Sequence, residues 1–329
     1  WVRDMSGREV WIVAVRARFR VVPGAEAVWD PNLEQEPVNI APRFAGSGLT
    51  SYLVADSDLV HEKHATDVLM TGHARPRRGQ ISTQQTVRLQ LGPVDKRVVV
   101  FGERVWMHGR PSEPRPFEAV PLVYPYAYGG LDLAGKRDAP TAWCPENPAG
   151  LGYTTDDRAL EGQLLPNIED PRDLIRSRSA RPQPTGYGPI MPHWPQRRCY
   201  AGTYDAYWEN ERLPLLPLDF DPMFYQQAPR DQQVPGFLRG GEAVRIEGVH
   251  PDGPLEFTLP RISLAFRTRF DDDTVVAHAA DLHTVVLEPD IPAVSMVWQT
   301  HFECHRRVML LRETQVWQRR RVRPHVGRA

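Results

Sequence analysis

His301-Phe302-Glu303-Cys304-His305 gathers four side chains that can ligate a metal. On a helix, His301 and His305 would share a face with Cys304 beside them, as in many zinc sites. The preceding residues alternate as a strand does. On a strand, His301, Glu303 and His305 point one way and Cys304 the other. That separates the thiolate from the imidazoles, so the expectation is a polar strand edge and no metal. Asp219 and Asp221 flank Phe220, and a carboxylate pair could serve a glycosidase. The run Leu-Pro-Leu-Asp-Phe-Asp-Pro also suits a turn entering a short helix, with Asp221 as N-cap and Pro222 at the first helical position. The cap is the preferred reading. No GxSxG nucleophile turn exists, and none of the eleven histidines sits in a recognisable catalytic frame. Gly46-x-Gly48, Gly129-Gly130, Gly150-x-Gly152 and Gly186-x-Gly188 do not open a helix after a strand, and no GK[ST] follows. They read as tight turns, not as phosphate loops. The sequence therefore gives no catalytic residue, no metal and no cofactor, and the chain is not expected to be an enzyme.

The other chemistry in the sequence is that of large rings. From Pro111 to Pro235, Pro and Gly interrupt the chain every few residues, and no helical period persists beyond about two turns. The segment nevertheless holds Trp143, Trp194, Trp208, Phe220, Phe224 and most of the chain's ten tyrosines. Disordered linkers are poor in such residues. Loops of this length are uncommon unless functional. The expectation is an ordered coat packed onto sheets by its rings. Trp194, Tyr204, Trp208, Phe224 and Tyr225 are its candidate partner-binding anchors.

The elements that must carry this coat are strands. In Val10–Val22, Trp11, Val13, Val15, Ala17 and Phe19 share one face and Arg16, Arg18 and Arg20 the other, the period of a half-buried strand. Asp67–Met70 is a short strand. Thr83–Leu91 and Lys96–Phe101 flank Gly92-Pro93 as an antiparallel hairpin, which Arg104–Met107 is expected to extend. Further strands are expected at Glu242–Gly248, Leu255–Leu259, Ser263–Phe270, Val275–Ala277, Asp281–Leu287, Ala293–Thr300 and Val308–Trp317. Asp271-Asp272-Asp273 reads as a hairpin tip. Short helical turns are expected at Asp170–Arg176 and Pro222–Gln227. The fold class is mostly β, with two antiparallel sheets or two β units, sandwich-like, under the irregular coat. The chain reads as a single domain over 1–329, with sub-units at 1–110, 111–235 and 236–329. A strand, Gly, His and Pro recur at similar spacing in Val68–Pro76 and Val244–Pro251, which would suit two related β units.

Composition narrows the function. With 329 residues the chain can bury a sizeable core without a staple. Its 32 prolines are about twice the usual share and belong in turns and irregular stretches. A net charge of -1 supplies no global field for nucleic acid. The arginines Arg319, Arg320, Arg321 and Arg323 read as a solvated or partner-docking tail. No stretch approaches the roughly 18 apolar residues of a membrane helix, and Trp1–Val10 lacks the apolar segment of a signal peptide. Three cysteines without CxxC spacing suit reduced thiols in a cytoplasm.

A series of collinear motifs goes further. ATDVLMTGHARP at Ala65–Pro76 is followed by VFGERVW at Val100–Trp106 and PFEAVPLVYPYAYGG at Pro116–Gly130. Then come NPAGLGY at Asn147–Tyr153, LPNIEDPRDLI at Leu165–Ile175 and RPQPTGYGPI at Arg181–Ile190. AGTYDAYW at Ala201–Trp208, PLLPLDFDPMFY at Pro214–Tyr225 and LRGGE at Leu238–Glu242 complete the set. Over roughly Val10 to Trp317 the chain resembles domain-of-unknown-function family 2169. The resemblance implies an accessory or adaptor protein of bacterial type VI secretion. Its expected partners are a secreted effector, a PAAR-like tip protein and the spike protein, and its expected role is to help load the effector. It implies no catalytic residue set.

Two other classes compete with that reading. One is a hydrolase of unknown substrate using Asp219 and Asp221, or a metal at His301 and His305. The other is a carbohydrate-binding β module with Trp194, Tyr204 and Trp208 as stacking platforms. A pocket of paired carboxylates would favour the first, and a shallow exposed ring platform the second. A broad apolar patch or an open sheet edge would favour the adaptor.

Overall fold

The computed structural model describes residues 1–135, 142–305 and 307–319. Arg320, Arg321 and Arg323 of the basic tail lie outside these residues. The chain is mostly β, as its period-two segments require, and among the described residues the α-helical content is the single turn Pro195–Arg198 with dipeptide Ala206–Tyr207 leading into a π-helical turn at Trp208–Arg212.

Three sheets carry the fold. The first has six strands in the order Val2–Arg3, Glu9–Arg20, Ala293–Glu303, Asp281–Glu288, Ala65–Met70, Gln233–Pro235. All its pairings are antiparallel except that of Asp281–Glu288 with Ala65–Met70, which is parallel. The second sheet has five antiparallel strands in the order Ile168–Glu169, Val94–Phe101, Gln84–Leu91, Ala243–Glu247, Leu255–Thr258. The third has Val275–Ala279, Leu264–Phe270 and Leu311–Gln318. The hairpin at Gly92-Pro93 is present, with Leu91 paired to Val94 across a two-residue turn. Gly92 has φ +56°, the left-handed conformation such a turn needs at its first position. Asp271-Asp272-Asp273 forms the tip between two strands of the third sheet.

The first two sheets share one core. Phe19, Val68, Met70, Val285 and Met296 of the first meet Val87, Leu89, Val98, Val244 and Ile246 of the second in a continuous buried cluster. Tyr124, Tyr187, Ile190 and Trp194 of the coat enter the same cluster, so the irregular region is ordered by its rings. The first and second sheets each mix strands from the N-terminal and C-terminal parts of the chain.

Several local expectations differ from the structure. Arg16 and Arg18 do not face water. The segment through Glu34, Glu36 and Asp58 covers them, with Arg16 bonded to Glu36 at 2.7 Å and Arg18 to Glu288 at 2.7 Å. Arg104–Met107 does not extend the hairpin. Trp106–Met107 pairs instead with Arg110–Pro111, while Arg104 turns inward onto buried Glu169 and the Pro166 carbonyl. Asp170–Arg176 is a turn, not a helix, closed by the Arg172 N–H donating to the Asp170 carboxylate. The last strand begins at Leu311, after a 3-10 turn at Val308–Leu310.

Candidate functional site

Two constructions tie the coat to the sheets or stand out from it, a buried polar anchor and an exposed ring lobe. The anchor is centred on Asp67, which is fully buried in the Ala65–Met70 strand. Its carboxylate accepts from Lys63 Nζ at 2.6 Å, Gln226 Nε2 at 2.9 Å, the Gln227 N–H at 2.9 Å and the Ala228 N–H at 3.2 Å. Gln226 returns its oxygen to the His64 and Ala65 N–H groups. Neighbouring Thr66 donates to the Leu282 carbonyl and accepts from the Leu238 N–H. The Thr-Asp pair of the ATDVLMTGHARP motif is thus a clasp between strand and coat. A second clasp is Arg197, also buried, which donates to Asp56 at 2.8 Å, to the Ile190 carbonyl at 2.8 Å and to the Phe224 carbonyl at 3.0 Å. Burying charges is costly unless every polar atom is met. Here the pairing is dense, and the outcome is a rigid coat.

The five candidate rings do not share one environment. Trp194 is fully buried, packed edge-on against Tyr124 at 5.1 Å. It is a core residue, because the chain turns there into Pro195–Arg198 and directs the indole onto the sheet cluster. Phe224 and Tyr225 are half-buried in a cluster with Phe220, and Tyr225 stacks on His61 at 5.6 Å. Burial of Tyr225 pushes its phenol up to about 12, and burial of His61 holds its imidazole below the usual range. Tyr204 is exposed and meets half-buried Trp208 edge-on at 4.7 Å.

Tyr204 and Trp208 belong to a lobe at 203–218. Trp208 Nε1 donates to the Leu215 carbonyl at 2.8 Å, and the Asp205 carboxylate accepts from the Trp208 N–H at 2.9 Å. Thr203 is tied through its N–H and hydroxyl to Asp219, and Arg212 reaches the Met5 carbonyl at 2.7 Å. On this braced frame Tyr204 (53% exposed), Tyr207 (57%), Leu213 (59%) and Leu218 (64%) stand out into solvent. Sequence reasoning named Tyr204 and Trp208 but passed over Tyr207, Leu213 and Leu218. The pair Asp205 and Asp219, each placed to tie down a turn, was the available signal.

The enzymatic candidates take structural places. Asp221 caps the 3-10 turn Pro222–Tyr225, accepting from the Met223 N–H at 2.8 Å, and Asp219 is engaged with Thr203. The Ala293–Glu303 strand carries His301 outward, Glu303 binds Arg8 at 3.0 Å, and Cys304 turns into a small apolar cluster with Phe270 and Val308. Among the described residues no three His, Cys, Asp or Glu side chains converge as metal ligands. Gly129-Gly130 and Gly150-x-Gly152 pack backbone to backbone, with Tyr128–Gly129 pairing in parallel with Leu151–Gly152. Among the described residues no helix is long and apolar enough to cross a membrane.

The fold and site define a mostly β protein whose long irregular coat is clasped to its sheets and presents a braced aromatic lobe. The profile of one family, DUF2169, described as an uncharacterized protein conserved in bacteria, matches residues 6–299. The chain belongs to that family. No curated protein and no solved structure matches it.

Proposed function

We propose that the protein works by holding another protein, as an accessory adaptor of type VI secretion. Its partners are a secreted effector, the PAAR-like tip protein that carries it, or the spike protein, and its task is to help load the effector before firing. The observation that carries the protein-binding part is the lobe at 203–218. Tyr204, Tyr207, Leu213 and Leu218 are exposed together there, with half-buried Trp208 beneath Tyr204, on a frame fixed by Asp205, Asp219 and Arg212. Aromatic anchors dominate protein interfaces, and a frame already ordered loses little freedom on binding. The secretion setting rests on the family resemblance. Two features weigh against a sugar-binding platform: Trp194 is in the core, and Tyr204 and Trp208 meet at an interplanar angle of 68° and form no flat surface.

The test is co-expression with the products of the neighbouring genes, followed by co-purification. Tyr204→Ala, Tyr207→Ala and Leu218→Ala should each weaken the complex about tenfold or more, with melting unchanged. Failure of every neighbouring product to co-purify would remove the adaptor reading. Wild-type affinity in all three variants would remove the lobe from it.

A further inference from the structure

Where the coat crosses the second sheet it leaves a cavity of about 430 Å³, within the range of small-ligand sites. Lys96, from the Val94–Phe101 strand, lines it with a side chain only 5% exposed. Its ammonium donates to Asp231 at 3.0 Å and lies 5.8 Å from the Tyr187 ring centre. An ammonium has three N–H donors. Asp231 takes one, and no other acceptor meets Lys96 among the described residues. Burial holds the Lys96 pKa below the ordinary lysine value, opposed by the Asp231 charge.

Three further groups on the wall share this shortage of partners. The Tyr124 hydroxyl has none among the described residues, although Tyr124 is buried, and that burial raises its phenol pKa and keeps the proton on it. The exposed Arg230 guanidinium also has none. Gln196 Oε1 is buried without a donor, while its amide nitrogen is used on the Glu146 carbonyl. Buried polar groups normally find partners, so Lys96, Tyr124 and Gln196 each ask for a ligand or a solvent molecule. Ile190, Tyr200 and Met223 give the same cavity an apolar wall.

We propose that this cavity binds a carboxylate borne on a small apolar body, with Lys96 and Arg230 on its oxygens and Tyr124 as a third donor. Two cationic groups and a hydroxyl match a carboxylate's acceptors. Asp231 limits the charge: a dianion such as phosphate would be repelled by it more strongly than a monoanion. The carboxylate can come from a free small acid or from the end of a polypeptide. The inference stands apart from the secretion reading, since a small acid would bind here whether or not a protein docks on the lobe.

Titration calorimetry on the full chain tests it with three probes: benzoate, the tripeptide alanyl-alanyl-phenylalanine, and that tripeptide as its C-terminal amide. Either acid, or both, should bind and the amide should not. Binding of the tripeptide acid alone assigns a polypeptide end, and binding of benzoate as well assigns free acids too. Arg230→Ala and Tyr124→Phe should each weaken binding about fivefold or more. Arg230→Ala is a surface change and should leave melting unaltered; Tyr124→Phe keeps the ring and serves as the second variant. No heat from either acid up to about 10 mM, equal binding of the amide, or wild-type affinity in both variants would overturn the proposal.

Discussion

At the scale of single residues, buried polar groups hold the fold. Asp67 accepts four hydrogen bonds in a site from which water is excluded. Asp67→Ala would leave Lys63 buried and unpaired, together with three N–H donors of the coat. Removing one partner of a buried pair costs about 3–5 kcal/mol, so this variant should lose that much in urea unfolding, and Lys63→Met should lose less. A Lys63→Met loss as large as that of Asp67→Ala would show that the ion pair, not the coat's N–H groups, sets the stability. His283 supplies a pH response. It is buried against Phe237 at 5.4 Å, with Nδ1 unpartnered, and burial, reinforced by the Lys63 and His301 charges, lowers its pKa to about 3. An unfolded histidine binds its proton near pH 6.5. Between those values the unfolded chain holds more protons than the folded one, so stability falls as pH drops below about 6.5, by up to roughly 1.4 kcal/mol per pH unit. His283→Phe should flatten that slope between pH 6.5 and 4, measured by unfolding at each pH.

At the scale of elements, the coat is braced by backbone contact. Gly129 has φ +145°, and a Cβ there would lie 2.1 Å from the Asn147 carbonyl oxygen. Asn147 is itself fully buried and donates Nδ2 to the Tyr124 and Tyr128 carbonyls, each at 2.9 Å. Gly129→Ala must therefore part the two crossing segments, and we expect a loss of at least about 2 kcal/mol, read by thermal melting. Asn147→Ala should cost about 1–3 kcal/mol, since the buried Tyr128 carbonyl loses its side-chain donor and the Tyr124 carbonyl keeps only the Ala127 N–H. These braces explain what the sequence made legible. Gln84–Leu91 alternates in burial as it alternates in type, because one face meets the core and the other does not. The Asp221 cap and the Asp271–Asp273 tip were legible for the same reason: their chemistry is local. Arg16, Arg18 and Trp194 were not. Period two assigns residues to opposite faces but does not say that a distant segment will cover the polar one. Ring type marks Trp194 for burial in a core or in an interface alike, and only the packing of Tyr124 decides between them.

At the scale of the molecule, order along the chain and order across the sheets are different things. In the first sheet, Glu9–Arg20 and Ala65–Met70 are separated by Ala293–Glu303 and Asp281–Glu288, and eleven residue pairs join Glu9–Arg20 to Ala293–Glu303. In the second sheet, Gln84–Leu91 lies against Ala243–Glu247. The segment 1–110 would thus have to fold without the strands that fill the middle of its own sheet. It would expose both edges of the Ala65–Met70 strand, and the Asp67 clasp would lose Gln226, Gln227 and Ala228. Open edges and an unmet buried carboxylate both oppose independent folding. A fragment of residues 1–110 is therefore expected to be unfolded by circular dichroism and amide exchange, and the same holds for 236–329. Co-expressed with 111–235, the pieces should recover structure only together. The intact chain should melt in one transition that far-ultraviolet and tryptophan signals follow alike, since Trp298 in the first sheet and Trp194 in the coat report on one core. A cooperative transition in the isolated 1–110 fragment would mean that this half has a core of its own, and the interleaved sheets would then be a docking of two folded units.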